Sequence, residues 1–109
     1  MGIIEKMRLD GKKAFVTGGA RGIGKRIATA LAEAGADVAI VDVNLEEAQK
    51  TADEIQQANH NKMIAIKADI TSPQEVDQMI GTILKEFGRL DAAFCNAGIG
   101  HNVEIENDT

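Results

Sequence analysis

Short apolar runs at residues 13–17, 37–42, 62–67 and 91–95 alternate with three longer stretches in which apolar residues recur every three or four positions. Runs of this length, apolar at successive positions, predict strands buried on both faces, and the longer period predicts amphipathic helices. Strands and helices in strict alternation predict βαβ units, so the expected fold class is α/β with a parallel sheet and helices on both of its faces. The first helix is expected from Gly22 to Ala34, with Ile23, Ile27 and Leu31 as its buried stripe and Gly35 to end it. The second starts at Asn44, whose side chain caps while Glu47 reaches back in a capping box, and Leu45, Ala48, Ala52 and Ile55 supply its buried face. The third has Ser72 as cap, Pro73 at the first helical position and Glu75 completing the box. Its stripe is Val76, Met79, Ile80, Ile83 and Phe87, and Gly88 ends it.

Between the first strand and the first helix stands Thr17-Gly18-Gly19-Ala20-Arg21-Gly22-Ile23-Gly24. A phosphate-binding turn needs backbone N–H groups facing the anion, close approach without a Cβ, and a helix N-terminus whose dipole favours negative charge. Gly18, Gly22 and Gly24 suit those needs, with Arg21 and Ile23 between them, although glycines also build strand-to-helix turns that bind nothing. Asp42 lies eighteen residues beyond Gly24, at the end of the second apolar run. A carboxylate there can accept hydrogen bonds from an adenosine ribose. The pairing of turn and carboxylate predicts a bound nicotinamide dinucleotide. Lys25 and Arg26 read as the solvated first turn of the helix.

Composition narrows the function classes. The 109 residues, 44% of them hydrophobic and 27% charged, suit one soluble globular domain spanning 1–109, with residues 99–109 expected as a flexible tail. Twelve Lys and Arg against seventeen Asp and Glu leave a net charge of −5, which argues against nucleic acid as a partner. No apolar stretch approaches the roughly 18 residues of a membrane span, and the N-terminal segment lacks the apolar core of a secretory signal; a cytoplasmic location is expected. Cys95 is the single cysteine and, within an apolar run, reads as a small buried hydrophobe. His60 and His101 are isolated and read as surface or loop residues. No catalytic residue and no metal ligand is assigned.

Four landmarks together make the chain resemble the N-terminal, cofactor-binding half of a short-chain dehydrogenase/reductase. They are Leu9-Asp10-Gly11-Lys12 before the first strand, the TGxxxGxG pattern from Thr17 to Gly24, Asp69-Ile70 after the third strand, and Asn96-Ala97-Gly98 after the fourth. The resemblance implies a partial Rossmann-type sheet of about four strands in the order 3-2-1-4. It also implies that Asp42 engages the adenosine ribose, that Asp69 and Ile70 border the adenine, and that Asn96, Ala97 and Gly98 shape the floor of the cofactor cleft. For Asp69 a plain capping role, and for Asn96 the pinning of a sharp bend, stay open. Asp42 would repel a 2′-phosphate, whereas Arg21 stands where some NADP-preferring relatives carry a basic group; NAD is the expected cofactor over NADP.

The family's mechanism, as the resemblance implies it, draws on Asn, Ser, Tyr and Lys from its second half. This chain has no tyrosine, so turnover is not expected from it alone. The implied parent activity is interconversion of a secondary alcohol, such as a sugar alcohol or small hydroxy compound, with its ketone. Reduction of a 3-oxoacyl thioester and a noncatalytic dinucleotide-binding or assembly module are the alternatives. The run Ala92-Ala93-Phe94-Cys95 is expected to form an unpaired sheet edge, covered by self-association or by pairing with the missing C-terminal half.

Overall fold

The computed structural model describes residues 8–96. Within them the elements follow in the order β1 (Lys13–Thr17), α1 (Gly22–Glu33), β2 (Asp37–Asp42), α2 (Leu45–Asn59), β3 (Met63–Lys67), α3 (Pro73–Phe87) and β4 (Ala92–Cys95). The strands make one sheet in the order β3-β2-β1-β4. Every pairing is parallel: Phe15 lies opposite Ala39 and Ala93, and Ile40 opposite Ala65. Parallel strands need crossover connections, and the three helices supply them. The expected α/β class and strand order therefore hold. β3 and β4 begin one residue later than the apolar runs predicted, at Met63 and Ala92, and α1 ends at Glu33 with Ala34 as its C-cap.

Alternation along β1 and β2 divides the core into two layers. Val16, Val38, Ile40 and Met63 face α1 and α2, where Ala28, Ala32, Ala48, Ala52 and Ile55 meet them. Phe15, Ala39 and Val41 point the other way, onto Met79, Ile83 and Phe87 of α3. Successive side chains on a strand leave opposite faces, so one apolar run serves both layers.

Two helices depart in part from the buried stripes expected of them, each at its first apolar residue. α1 buries Gly24, Ala28 and Ala32, while Ile23 is 62% exposed and Ile27 and Leu31 are half-buried. Gly24 explains the departure on α1. A Cβ there would collide with the carbonyl oxygen of Gly18, so the helix start lies directly on the turn, a closeness only the small-residue stripe permits. On α2, Leu45 is exposed, and Thr51 joins Ala48, Ala52 and Ile55 in the buried face.

The helix starts keep their caps and lose their boxes. Asn44 and Ser72 each accept from the backbone N–H three residues on, Glu47 at 3.0 Å and Glu75 at 3.3 Å. The reciprocal bonds are absent because the cap amides are engaged elsewhere: Asn44 N donates to Asp42, and Ser72 N to the carbonyl of Asp69. Glu75 instead accepts from Asp69 N at 2.8 Å, closing the β3–α3 loop. β4 is joined to β1 by Asp91, whose N–H donates to Lys13 O and whose carboxylate accepts from Lys13 N, both at 2.8 Å. That backbone bond, more than the neighbouring Arg89, holds the Asp91 carboxyl below its ordinary range. Cys95, expected buried, is exposed, because β4 lies at the sheet edge.

Candidate functional site

All four strands point the same way, so the loops that follow them collect at one edge of the sheet. That edge holds the glycine turn after β1, Asp42 after β2, Asp69 and Ile70 after β3, and Asn96 after β4. The chain moves outward from β1 through β2 to β3 and then crosses to β4 on the opposite side of β1. Such a reversal leaves a crevice outside the carboxyl ends of the strands, the usual ligand position in an open parallel sheet.

The turn is held from several directions. Gly18 and Gly22 have φ of +62° and +63°, a left-handed conformation that side chains resist. A Cβ on Gly18 would stand 2.9 Å from Asn96 O, so the β1 and β4 loops touch there. A Cβ on Gly22 would meet nothing within 4 Å, so backbone at this point faces open space. Gly19 N donates to Val41 O at 3.2 Å, tying the turn to the end of β2. α1 starts behind it with no side-chain cap and no acidic residue in its first turn. Its free N–H groups and positive dipole end are thereby directed at the crevice. Arg21 is the exposed N-cap residue, and Ile23 stands exposed beside it.

Asp42 is half-buried between two loops. Oδ2 accepts from Ala20 N at 3.3 Å and Oδ1 from Asn44 N at 3.2 Å. An ionised carboxylate has about four lone-pair sites, so two bonds leave room for two hydroxyl donors. Glycine turn and carboxylate are thus one mechanical unit.

Asp69 is exposed and makes a local turn, accepting from Thr71 N at 2.9 Å and Thr71 Oγ1 at 2.6 Å. Those bonds, the hydroxyl foremost, hold its carboxyl below the ordinary value of 3.8. Ile70 is 40% exposed. Across the adjoining strand ends, where Ala68 N donates to Asp42 O, Val43 is 63% exposed. Val43 and Ile70 thus place exposed apolar side chains on the loops that follow β2 and β3. Asn96 is fastened to buried Thr17, whose hydroxyl accepts from Asn96 N at 2.9 Å and donates to Asn96 O at 3.4 Å. Ala97 and Gly98, the other two residues expected here, lie outside the described residues, as does the expected tail over 99–109.

Two contributors escaped the sequence reading. Val43 had a signal in its position, an apolar residue one step past a strand-ending carboxylate. Thr51 had one in its spacing, since Ala48, Thr51, Ala52 and Ile55 share a helix face and a hydroxyl on a buried face needs an acceptor. Among the described residues no group of three or more His, Cys, Asp or Glu is placed to hold a metal, and no helix is long and apolar enough to cross a membrane.

Comparison with known proteins gives a consistent result. The family model described as short chain dehydrogenase matches residues 12–109. A 7alpha-hydroxysteroid dehydrogenase of Escherichia coli is 42% identical over 96 residues, covering 88% of this chain and 37% of that protein. A sorbitol dehydrogenase of Cereibacter sphaeroides is 44% identical over 93 residues, covering 85% and 35%. A versicolorin reductase of Emericella nidulans is 42% identical over 108, covering 95% and 40%. A crystal structure of hydroxysteroid dehydrogenase from E. coli superposes with a TM-score of 0.83 at 41% identity, covering 89% of this chain and 41% of that one. A short-chain dehydrogenase/reductase from Mycobacterium marinum gives 0.82 at 41% identity, covering 91% and 40%. The chain thus spans about two fifths of the length of these relatives.

Proposed function

Because the chain belongs to the short-chain dehydrogenase family, we propose that its four strand ends seat a nicotinamide dinucleotide, NAD in preference to NADP, for an oxidoreductase acting on secondary alcohols. The diphosphate lies on Gly18, Arg21, Gly22, Ile23 and Gly24, where uncapped amides and the α1 dipole compensate its charge. Asp42 accepts from the adenosine ribose, Asp69 and Ile70 border the adenine, and Asn96, with Ala97 and Gly98 after it, lines the floor. The observation that carries this reading is the bond from Ala20 N to Asp42 Oδ2. It puts the anion-facing turn and the hydroxyl acceptor in one rigid frame, and a nucleotide presents its phosphate and ribose in just such proximity.

Cofactor choice follows from charge. A 2′-phosphate brought against the Asp42 carboxylate adds a repulsion that the exposed Arg21, screened by solvent, offsets poorly. Calorimetric titration with NADH and NADPH tests the point: NADH is expected to bind tighter, and the reverse order removes the assignment. For substrate, the dehydrogenase and reductase names among the relatives support the alcohol-to-ketone class, with a sugar alcohol or small hydroxy compound as the parent's substrate.

A second reading has its own support in composition. The 109 residues include no tyrosine, so they lack the group that exchanges the substrate proton in the family's mechanism. As an isolated polypeptide they hold the dinucleotide without turning over. Hydride transfer from sorbitol or a hydroxysteroid to NAD, followed by NADH absorbance with purified material, would overturn this. Association is proposed through β4, whose Phe94 and Cys95 are exposed at the sheet edge, with a second copy or a C-terminal segment of the family type. A compact monomer in concentrated sedimentation runs counts against it. One domain over 1–109 and a cytoplasmic location complete the proposal.

A further inference from the structure

Only two polar side chains among the described residues are buried in the core, Thr17 and Thr51. Both spend their hydroxyls on the loops of the proposed dinucleotide seat. Thr17 fastens Asn96. Thr51, 3% exposed on α2, donates to the carbonyl of Ala20 at 2.7 Å, thirty-one residues back in the chain. Ala20 is itself buried, and its N–H donates to Asp42. The residue at the middle of the turn is therefore gripped on both sides, by a carboxylate from the end of β2 and by a hydroxyl from α2.

We infer that Thr51 is a positioning residue for diphosphate binding, aiming the backbone amides of the glycine turn through the Ala20 carbonyl. A trans peptide is planar, so the carbonyl of Ala20 and the N–H of Arg21 point in opposite directions from one rigid plate. Drawing the carbonyl inward to buried Thr51 turns the Arg21 amide outward, at the start of α1. Removing the hydroxyl leaves a buried carbonyl without its donor, a cost the turn relieves by rotating the plate. The amide then leaves the direction in which the uncapped helix start presents its N–H groups. Asp42 cannot substitute, since it holds the preceding plate, between Gly19 and Ala20.

The inference rests on the dinucleotide reading and is tested so that the two fail separately. ADP-ribose and NADH are titrated calorimetrically into the 109-residue chain and into Thr51→Ser, Thr51→Ala, Thr51→Val and Ile55→Val, each at a temperature where its melting curve shows it folded. Serine keeps the donor and is expected within about twofold of the parent affinity, whereas alanine and valine are expected to bind about tenfold more weakly, as a misdirected amide implies. Comparing Ser with Ala isolates the hydroxyl, because both lack the methyl. Ile55→Val, one turn further along the same buried face, is expected to lower the melting temperature and leave affinity unchanged. Parent-like binding by the Ala and Val variants overturns the inference and leaves the dinucleotide reading standing. Affinity that follows melting temperature across the set, Ile55→Val included, or loss of the fold in both Ala and Val, also overturns it by assigning the hydroxyl to stability. Absence of binding to the parent chain removes the dinucleotide reading, and this inference with it.

Discussion

Replacing Gly24 by alanine places a Cβ against the carbonyl oxygen of Gly18, where no flexible side chain can yield. Overpacking of this kind costs about 1–3 kcal/mol, and here α1 can relieve it only by lifting off the glycine turn. Urea unfolding is expected to show that loss, with NADH affinity falling alongside. Gly22→Ala differs in cause: space is open around it, and the cost of about 1–2 kcal/mol comes from the left-handed backbone alone. Both glycines were legible in the TGxxxGxG spacing, but the spacing does not say which one is closed by contact and which by conformation. Asp69 carries a pH signature. Its carboxyl is held below the ordinary 3.8 in the folded chain by bonds from Thr71, so its contribution is present above that value and is lost as pH falls through the lowered one. Melting temperatures of the parent and Asp69→Asn are therefore expected to differ near neutral pH and to converge in acid. A gap that widens on acidification contradicts the assignment.

Ends of α2 and α3 are set by single residues that bond into the first or last turn of the same helix. Ser72→Ala removes the acceptor for Glu75 N and is expected to cost about 1 kcal/mol in chemical denaturation. His60 closes α2 with φ of +63°, the one left-handed non-glycine among the described residues. His60→Gly is expected to stabilise by about 0.5–1 kcal/mol, the relief of left-handed strain less the chain entropy glycine adds; a lower melting temperature would contradict this. The caps were visible in sequence because a cap needs one residue type at one offset. The loss of the expected boxes was not visible, because Asn44 N and Ser72 N are claimed by Asp42 and Asp69, and no spacing within a helix reports a competing acceptor outside it.

The two core layers share β1 and β2, so neither can unfold alone. Ile40→Ala, in the layer under α1 and α2, and Ile83→Ala, in the layer under α3, are each expected to cost about 2–5 kcal/mol in one cooperative transition. Separate transitions for the two layers would show them to be independent. Saturation of the proposed seat adds to the same balance: NADH at about a hundred times its dissociation constant raises the unfolding free energy by about 2.7 kcal/mol, and an unmoved melting curve counts against the seat. Element types, the parallel α/β class, the glycine turn and Asp42 could all be read from the chain, since each depends on periodicity or spacing over a few neighbouring residues. The burial of Gly24, Ala28 and Ala32 in place of Ile23, the exposure of Leu45 and Cys95, and the reach of Thr51 to Ala20 emerged only on folding. Each depends on where a second element's surface comes to rest, and the distance of closest approach between two elements is not written in the period of either.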